Sequence, residues 1–449
     1  MTIAEAEAYR KAGDFSEALA IYRSVLEHEP KNASAYRGMA NLSLDLRRPE
    51  SAAAMILQAL SLDLDNVDSQ KLLLRVLEAQ QTPQAVGRLL FDHSLDLKAS
   101  GRMELALRCH RKALTFDPAL SATDDYGAAR ILAAGDLKNG WMAYEWRNTI
   151  AAPGPFADRI WNGEDLSGKT VLVWGEQGIG DHMMYANCLP DLIEIASLVL
   201  IETDARLVTM FARTFPTAVV HGGSKYKGDK PITNQDLSWL KKHPEPDYFV
   251  FMGSLPRIFR PTIDRFPATS VRLKADLRRT EKWRDRLNDC GHGLKIGVNW
   301  RSLLRSTDRQ KLYPGLDSWE PVFLIPEIQL VNLQVGSTEQ EKNRINEICG
   351  GNLSTFSELD LLDDLDGTAS LIAALDGVVT SESYIRCLGP LLGIPTWAVI
   401  KTRGHQRWSM LGQTHFPWFP ELNVYCSNSD SELTAIFETM AKQVKRLEH

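Results

Sequence analysis

A spacing of 34 residues recurs along the N-terminal third of the chain and constrains its fold more than any other feature. Ala18 and Ala52 are 34 residues apart, and so are Gly101 and Gly135. Small residues alternate with apolar ones around these positions, as in pairs of amphipathic helices that pack closely. One such pair cannot bury its apolar face alone, so successive pairs stack and share a core. From Ala52 to Ala106 the spacing is 54 residues, which makes the middle of the array irregular.

The segment KAGDFSEALAIYRSVLEHEPKN resembles the second half of a tetratricopeptide repeat (TPR) unit. Gly13 and Pro30 fall where that motif has a turn and a stop, and Tyr22 falls at a packing position. The resemblance implies an α superhelical array whose groove binds a protein. A purely structural helical cap on the neighbouring domain is the alternative. We assign residues 1–150 to this helical repeat domain.

The rest of the chain alternates short apolar runs with amphipathic segments, which is typical of parallel α/β domains. TVLVW, SLVLIET and YFVFMG are strand candidates of a first Rossmann-like domain, which we assign to residues 151–275. LKIGVNW, IQLVNLQ, GVVTS and PTWAVI are those of a second, which occupies residues 276–449 with a closing helix. In open parallel sheets ligands bind beyond the carboxyl ends of the strands. We therefore expect the site where the two domains face each other.

Composition and charge exclude several classes of protein. Apolar residues make up 44% and charged residues 24% of the 449 residues, which excludes a disordered or fibrous chain. The formal net charge of -6 disfavours a general nucleic-acid binder. No run approaches the ~20 apolar residues that span a membrane, and the charged N-terminus has no signal core. Six cysteines without metal-ligand spacing favour a cytoplasmic chain with reduced thiols and no metal site.

The segment GEQGIGD follows the first strand candidate and precedes a helix. Glycines at such a turn let a substrate approach the backbone, so Glu176, Gly178 and Gly180 are candidates for an acceptor-side loop. Asp181 is either a helix N-cap or a catalytic base that takes a proton from an acceptor hydroxyl. His182 is a second catalytic candidate, with a structural role as its alternative.

Two segments of the second domain follow strand candidates and suit a phosphate group. NWRSLLRSTDRQK has arginine forks that pair with phosphate oxygens, and VVTSES ends in hydroxyl groups at a helix start. A solvated basic loop and ordinary serine capping are the respective alternatives. The candidate donor-binding residues are Arg301, Ser302, Arg305, Arg309, Gln334, Ser381, Glu382 and Ser383.

The segment RWSMLGQTHFPWFPELNVY is rich in aromatic side chains. Trp408, Phe416, Trp418 and Phe419 could stack on a base or a sugar. We predict core packing for most of them.

Several segments in order carry a resemblance to a known family: AAGDLKNGWMAYEWR, WNGEDLSGKTVLVWGEQGIGD, MGSLPRIFRPTIDRFP, GVNWRS, LDLLDDLDGTASLIAALDGVV, LGIPTWAVI and HFPWFP. Together they resemble bacterial TPR proteins with a C-terminal glycosyltransferase domain related to family nine, the heptosyltransferases. They also resemble alphaproteobacterial flagellin glycosyltransferases. The resemblance implies the GT-B fold, in which two Rossmann-like domains face one cleft. The protein O-GlcNAc transferases likewise join TPR repeats to a GT-B domain.

The resemblance also implies an activity, which is inverting and metal-independent transfer of a sugar from a nucleotide-activated donor to a hydroxyl. The donor is CMP- or NDP-linked, and no other cofactor is implied. Asp181 falls where the family has a proposed catalytic base, and the stretch around Ser381 and Ser383 falls where it binds donor phosphate. The implied acceptor is a protein recruited by the TPR array, with flagellin and a nonulosonic acid (pseudaminic or legionaminic type) as candidates.

Two departures from the family pattern leave other functions open. The family's Asp-Thr reads Glu382-Ser383 here, and the His five residues after that Asp reads Cys387. A different donor sugar explains these changes, and so does lost activity. The alternative function is therefore a non-catalytic TPR interaction protein with a degenerate GT-B domain. Transfer to a lipid or polysaccharide is a third possibility.

Overall fold

A computed structural model describes most of the chain, which divides into two compact units. One unit comprises Met1–Asp124 and Glu145–Ala151, and the other comprises Asp125–Tyr144 and Ala152–His449. The described residues are 2–62, 66–79, 87–88, 90–91, 93–94, 97, 109, 113, 125–145, 156, 158–176, 178–223, 226–227, 230–231, 236–303, 313–401, 409–427 and 429–448.

The first unit is helical where it is described. Its first helix begins with a capping box, in which the Thr2 hydroxyl accepts from Glu5 N and the Glu5 carboxylate accepts from Thr2 N. It ends at Gly13, whose left-handed φ of 89° favours glycine. The helices are α1 (Ile3–Ala12), α2 (Phe15–His28), α3 (Ala33–Asp45), α4 (Pro49–Leu62) and α5 (Val67–Ala79).

Small residues allow these helices to pack closely, as the repeat pattern predicts. Ala18 of α2 and Ala52 of α4 are fully buried. A methyl group on Gly38 of α3 would collide with the ring of Tyr22 in α2. The predicted repeat around Ala106 lies outside the described residues.

The second unit begins with two helices and a four-stranded parallel sheet of strand order β3-β2-β1-β6. Every residue of its central strand, TVLVW, is buried, as expected for a parallel strand covered on both faces. The sheet strands are β1 (Thr170–Trp174), β2 (Leu198–Asp204), β3 (Val219–Gly223) and β6 (Tyr248–Phe251), and β4 (Tyr226–Lys227) pairs separately with β5 (Lys230–Pro231). The helices are α6 (Asp125–Ala133), α7 (Leu137–Tyr144), α8 (Ile179–Tyr185), α9 (Leu189–Ile195), α10 (Val208–Thr214) and α11 (Leu255–Phe259).

A second parallel sheet follows, with six strands in the order β12-β11-β10-β7-β8-β9. The strands are β7 (Leu294–Asn299), β8 (Ile328–Asn332), β9 (Leu353–Ser354), β10 (Gly377–Thr380), β11 (Thr396–Lys401) and β12 (Leu422–Ser427). The helices are α12 (Leu277–Asn288), α13 (Glu320–Phe323), α14 (Glu339–Cys349), α15 (Leu365–Ile372), α16 (Ile385–Leu391) and the closing helix α17 (Asp430–Val444). The predicted combination of a TPR helical region with parallel α/β sheets is confirmed.

The aromatic segment near the C-terminus packs in the core. Phe416, Trp418 and Phe419 are fully buried, whereas Trp408 lies outside the described residues. The Trp418 ring makes edge contacts with Trp141, Tyr185 and Phe266.

Two arginines that lie between β2 and β3 bond to the acidic stretch before and within α15. Arg213 of α10 donates to both carboxylate oxygens of Asp366, at 3.0 and 2.9 Å. Arg206 Nη1 donates to the Leu362 carbonyl at 3.1 Å. These bonds connect the elements around the first sheet with those around the second.

No helix among the described residues is long and apolar enough to cross a bilayer.

Candidate functional site

Each parallel sheet reverses its strand order once, and ligands of open α/β sheets bind at such reversals. In the first sheet the reversal lies between β1 and β6, and in the second it lies between β7 and β10. The glycine-rich loop follows β1. The end residues of β7 and β10, Asn299 and Thr380, are direct neighbours in the second sheet. The loops selected from the sequence therefore begin at the two reversal points.

The glycine-rich loop is held across the first reversal by Glu176. The Glu176 side chain is buried, and its Oε1 accepts from Gly253 N at 3.1 Å, just beyond the end of β6. Asp181 lies in the first turn of α8, and its Oδ2 accepts from Gly178 N at 3.1 Å. The N-cap is therefore Gly178 and not Asp181, which as the third residue of α8 accepts from the N-cap N–H. A carboxylate has two oxygens, so this hydrogen bond is compatible with a second role as a base.

His182 is buried between α8 and the end of β2. Its Nδ1 lies 2.8 Å from Thr203 Oγ1 and accepts from Asp204 N at 3.4 Å. These contacts anchor the helix to the sheet. They are the structural contacts that we considered as the alternative to a catalytic role.

A buried hydrogen-bond network joins the ends of β7, β8 and β10. Gln334 Oε1 accepts from Asn299 Nδ2 at 3.2 Å and from Arg301 N at 2.9 Å. Thr380 Oγ1 donates to Asn299 Oδ1 at 3.1 Å, and Ser381 N donates to Asn299 O at 2.8 Å. Gln334 therefore holds the start of the loop after β7 by buried hydrogen bonds.

Arg301 is engaged in a bidentate ion pair. Its Nε and Nη2 donate to the two carboxylate oxygens of Glu341, at 2.6 and 2.7 Å, and Nη2 also donates to Gly336 O. Burial alone would raise the pKa of Glu341, but hydrogen bonds from Arg301 and Thr338 outweigh it and lower the pKa to about 2. The Arg301 guanidinium thus fixes its loop to α14. Ser302 follows it in the chain, whereas the predicted Arg305 and Arg309 lie outside the described residues.

The Ser381–Ser383 segment follows β10. The Ser381 hydroxyl is buried and has no hydrogen-bond partner among the described residues. Ser383 Oγ accepts from Ile385 N at 3.3 Å, just before α16, whose N-cap is Tyr384. Glu382 Oε1 lies 3.7 Å from Arg386 Nη1.

Arg386 is a residue of this site that the sequence reasoning missed. It is only 9% exposed, and its guanidinium lies 4.9 Å from the centroid of the Phe416 ring. The signal was available, since Arg386 is the one charged residue in the apolar run IRCLGPLL. Charged side chains are rarely so buried without a functional or pairing reason.

Cys387, which departs from the family's His, is a buried thiol. Burial raises its pKa to about 11, and the Asp181 and Glu382 carboxylates act in the same direction against Arg386. It is therefore a neutral thiol near neutral pH.

The loops of the two sheets meet. A methyl group on Gly180 would lie 3.8 Å from the Cα of Tyr384. The Tyr384 hydroxyl donates to Leu361 O at 2.8 Å, which holds this residue in place. Asp181 is therefore adjacent in sequence to the point where the first loop meets the second.

Among the described residues, no group of three or more His, Cys, Asp or Glu side chains could hold a metal ion.

Comparison with known proteins gives a family match in the N-terminal region and several similar proteins. Residues 9–86 match the tetratricopeptide repeat family. The chain is 32% identical over 307 residues to Protein FlbA of Caulobacter vibrioides, in a match that covers 66% of this chain and 50% of FlbA. The chain thus spans about half the length of this curated relative.

Solved glycosyltransferases are among the similar structures. A family 9 glycosyl transferase from Veillonella parvula is 12% identical, with a TM-score of 0.45 over 64% of this chain and 98% of that chain. The ADP-heptose lps heptosyltransferase II of E. coli is 13% identical, with a TM-score of 0.43 over 62% and 98%. An O-GlcNAc transferase from Thermobaculum terrenum is 14% identical, with a TM-score of 0.29 over 99% and 90%. The chain thus contains a tetratricopeptide repeat segment and parallel α/β sheets, and is similar to Protein FlbA and to solved glycosyltransferases.

Proposed function

We propose that the protein is a glycosyltransferase of the GT-B type, which moves a sugar from a nucleotide-activated donor to a hydroxyl of a protein acceptor. One observation carries this proposal: the loops at the strand-order reversals of the two parallel sheets meet at Gly180 and Tyr384. One loop bears the Asp181 carboxylate, and the other bears the hydroxyls of Ser381 and Ser383. A carboxylate opposite hydrogen-bond donors suits proton removal on one side and phosphate binding on the other.

In the proposed reaction, the oxygen of the acceptor hydroxyl attacks the anomeric carbon of the sugar, and Asp181 accepts the proton of that hydroxyl. The new bond forms between this oxygen and the carbon, on the face opposite the nucleotide. The bond from the anomeric carbon to the phosphate oxygen breaks, and its electron pair leaves with the phosphate. Because the attack comes from the face opposite the leaving group, the transfer inverts the anomeric carbon. Ser381 and Ser383 stabilise the leaving phosphate by hydrogen bonding, which in this proposal takes the place of a metal ion.

The remaining candidate residues divide into two roles in this proposal. Arg301 and Gln334 position the donor loop through the ion pair with Glu341 and the strand-end network. Glu176, Gly178 and Gly180 shape the acceptor loop, and His182 supports it from the core. The candidates for direct contact with the donor are Ser302, Arg305, Arg309, Ser381, Glu382 and Ser383.

The TPR segment would supply the acceptor protein, in the cytoplasm. Tethering raises the effective concentration of an acceptor hydroxyl near Asp181, so each individual contact can be weak. Flagellin is the candidate acceptor and a nonulosonic acid is the candidate sugar.

A thermal-shift screen of the full chain against CMP, UDP, GDP, ADP and dTDP tests the proposal. A nucleotide at a hundredfold excess over its Kd stabilises the folded state by about 2.7 kcal/mol. A selective shift supports the proposal and identifies the donor class, after which the matching nucleotide sugar is tested for transfer.

A non-catalytic TPR interaction protein is the second candidate function. The buried, neutral thiol of Cys387 in place of the family's His favours it. A folded protein that shows no shift with any nucleotide would favour this function over the glycosyltransferase.

A further inference from the structure

A buried guanidinium lies beside the proposed site and has no role in the proposed transfer. Arg386 is 9% exposed, in the first turn of α16. Its Nε and Nη1 atoms are buried and have no hydrogen-bond partner among the described residues. The distance of 3.7 Å to Glu382 Oε1 exceeds that of an N–H···O hydrogen bond. Buried donors of this kind are normally satisfied, so Nε and Nη1 of Arg386 are available to an acceptor that the described residues do not supply.

The Arg386 guanidinium lies over an aromatic ring. Its central carbon lies 4.9 Å from the centroid of the Phe416 ring. Phe416 is fully buried and stacks in turn on Phe419, with 5.5 Å between ring centroids. A cation over an aromatic ring is attracted to it without using an N–H donor for a conventional hydrogen bond. The contact with Phe416 therefore restrains Arg386 and leaves Nε and Nη1 for another partner.

A second polar group without a partner lies in the same segment. Ser381 Oγ, five residues before Arg386, is buried and has no hydrogen-bond partner among the described residues. The Cys387 thiol, next to Arg386, interacts electrostatically with Arg386, Glu382 and Asp181. A methyl group on Gly180 would lie 3.8 Å from the Cα of Tyr384, two residues before Arg386, so this segment adjoins the start of α8.

We propose that Arg386, together with Ser381, binds an oxyanion at the reacting end of the donor. Phosphate and carboxylate oxygens share the planar or forked geometry that a guanidinium recognises. The oxyanion is therefore either the phosphate next to the sugar or a carboxylate on the sugar itself. This inference rests on the proposed glycosyltransferase function and adds a determinant of donor specificity to it.

Binding of three probes to the full chain tests this assignment. Isothermal titration compares inorganic pyrophosphate, N-acetylneuraminic acid and the methyl ester of N-acetylneuraminic acid, which lacks the carboxylate. The variants are Arg386→Gln, Arg386→Lys and the control Arg344→Gln, since Arg344 is half-exposed and pairs with Asp317 on the surface. We expect Arg386→Gln to weaken at least one charged probe by roughly tenfold or more, with the control unchanged.

The probe whose binding weakens in Arg386→Gln identifies the source of the oxyanion. Weaker pyrophosphate binding assigns a phosphate contact. Weaker binding of N-acetylneuraminic acid, without a change for its methyl ester, assigns a sugar carboxylate. Wild-type affinity for both charged probes in Arg386→Gln overturns the inference, and so does a wild-type protein that binds neither.

Thermal unfolding separates ligand binding from a structural role. Because Nε and Nη1 of Arg386 make no hydrogen bond within the described protein, Arg386→Gln should lose little more than the contact with Phe416, worth roughly 1 kcal/mol, and should unfold within about 4 °C of wild type without ligand. A lower midpoint with unchanged affinity would assign Arg386 to the core and overturn the inference. If Arg386→Gln does not fold, Arg386→Lys decides, because lysine keeps the charge but lacks the fork: unchanged affinity overturns the inference, and roughly tenfold weaker binding supports it.

The nucleotide screen distinguishes failure of this inference from failure of the proposed function. If a nucleotide shifts the wild-type protein while the Arg386 variants bind every probe normally, only this inference fails. If no nucleotide shifts the folded wild-type protein, the proposed function itself fails.

Discussion

At the scale of single residues, Asp181 combines a structural contact with a proposed chemical one. Its Oδ2 accepts from Gly178 N and so caps α8. This hydrogen bond restrains the side chain, and a restrained base is already oriented when the acceptor hydroxyl arrives. Capping and catalysis are therefore compatible in one carboxylate.

Replacing Asp181 by asparagine separates the two roles. The amide oxygen of Asp181→Asn can still accept from Gly178 N, so we expect the unfolding midpoint to be retained. An amide is no base, so the rate of sugar transfer should fall at least roughly tenfold. The control is Asp165→Asn, an exposed residue whose carboxylate accepts from Ser167. A wild-type transfer rate in Asp181→Asn would remove Asp181 as the base.

Gly175 has no room for a side chain. A methyl group there would lie 2.5 Å from His182 Cε1 and 2.9 Å from the Glu202 carbonyl oxygen. We expect Gly175→Ala to lower the free energy of unfolding by about 1–3 kcal/mol, because the surrounding packed side chains and backbone must shift to make room for the methyl group. Urea denaturation measures this change. Gly315→Ala is the matched control, since no described atom lies within 4 Å of its methyl position and we expect a change within about 0.5 kcal/mol. Equal stabilities would contradict this account.

At the scale of elements, the Arg301–Glu341 pair joins the loop after β7 to the start of α14. Glu341 also completes a capping box, because its carboxylate accepts from Thr338 N at 2.8 Å while Thr338 Oγ1 accepts from Glu341 N. One carboxylate thus stabilises the helix start and orients the donor loop. The sequence TEQE contains the capping signature, but it carries no sign of Arg301 as the partner.

Loss of the Glu341 charge should destabilise the protein in a pH-dependent way. The pKa of Glu341 is lowered from 4.5 to about 2, so the pair contributes fully above pH 4.5 and its contribution is lost as pH falls from 4.5 towards 2. We expect Glu341→Gln to lower the free energy of unfolding by about 2–3 kcal/mol at pH 7 and by less at pH 3. Urea denaturation at both pH values measures this difference.

Glu339→Gln is the control for that comparison. Glu339 lies on the same helix, its side chain is 80% exposed, and it pairs with Lys342 on the surface. An exposed pair contributes about 0–1 kcal/mol, so this variant should stay close to wild type. A Glu341→Gln effect that is the same at pH 7 and pH 3 would contradict the assigned pKa shift.

At the scale of the whole molecule, α6 and α7 belong to the unit that contains the sheets, although their segment carries repeat-like spacing. Trp141 of α7 explains this. Its Nε1 donates to Arg260 O at 2.9 Å, and its ring lies 5.9 Å from that of Trp418. A fully buried tryptophan with a satisfied N–H contributes strongly to a core.

Two truncations test where the unit begins. A chain of Asp125–His449 retains α6 and α7, whereas one of Ala152–His449 removes them and uncovers Trp418. We expect the shorter chain to have a clearly lower unfolding midpoint, because loss of a buried tryptophan alone costs about 3–5 kcal/mol. Thermal unfolding followed by circular dichroism measures both, and equal midpoints would show that α6 and α7 are dispensable.

The chain of Asp125–His449 also tests the proposed role of the repeats. Asp125–His449 retains the elements around both sheets, so the nucleotide-induced thermal shift should persist. Modification of a native protein acceptor should be lost, because the TPR segment at residues 9–86 is absent. Unimpaired modification would show that the repeats do not recruit the acceptor.

The sequence by itself determined the helical repeats and seven strands of the two sheets, but not β3, β9 and β12. Helix and strand patterns depend on residues a few positions apart, so the 34-residue spacing, TVLVW and GVVTS could be interpreted without a structure. The loops at the ends of β1, β7 and β10 were identified in the same way. Their importance follows from local signals, because glycines, hydroxyls and arginines after an apolar run are visible in the chain.

Only the tertiary structure decided what each side chain contacts. Arg301 pairs with Glu341, 40 residues away, and so holds its loop in place. His182 lies against β2, and Arg386 lies buried on Phe416 with unsatisfied N–H groups. These outcomes depend on strand order and on which helix faces cover a sheet. They are set by burial and pairing between distant segments, so the sequence can show that Arg386 is a lone charge in an apolar run but not which side chains it contacts.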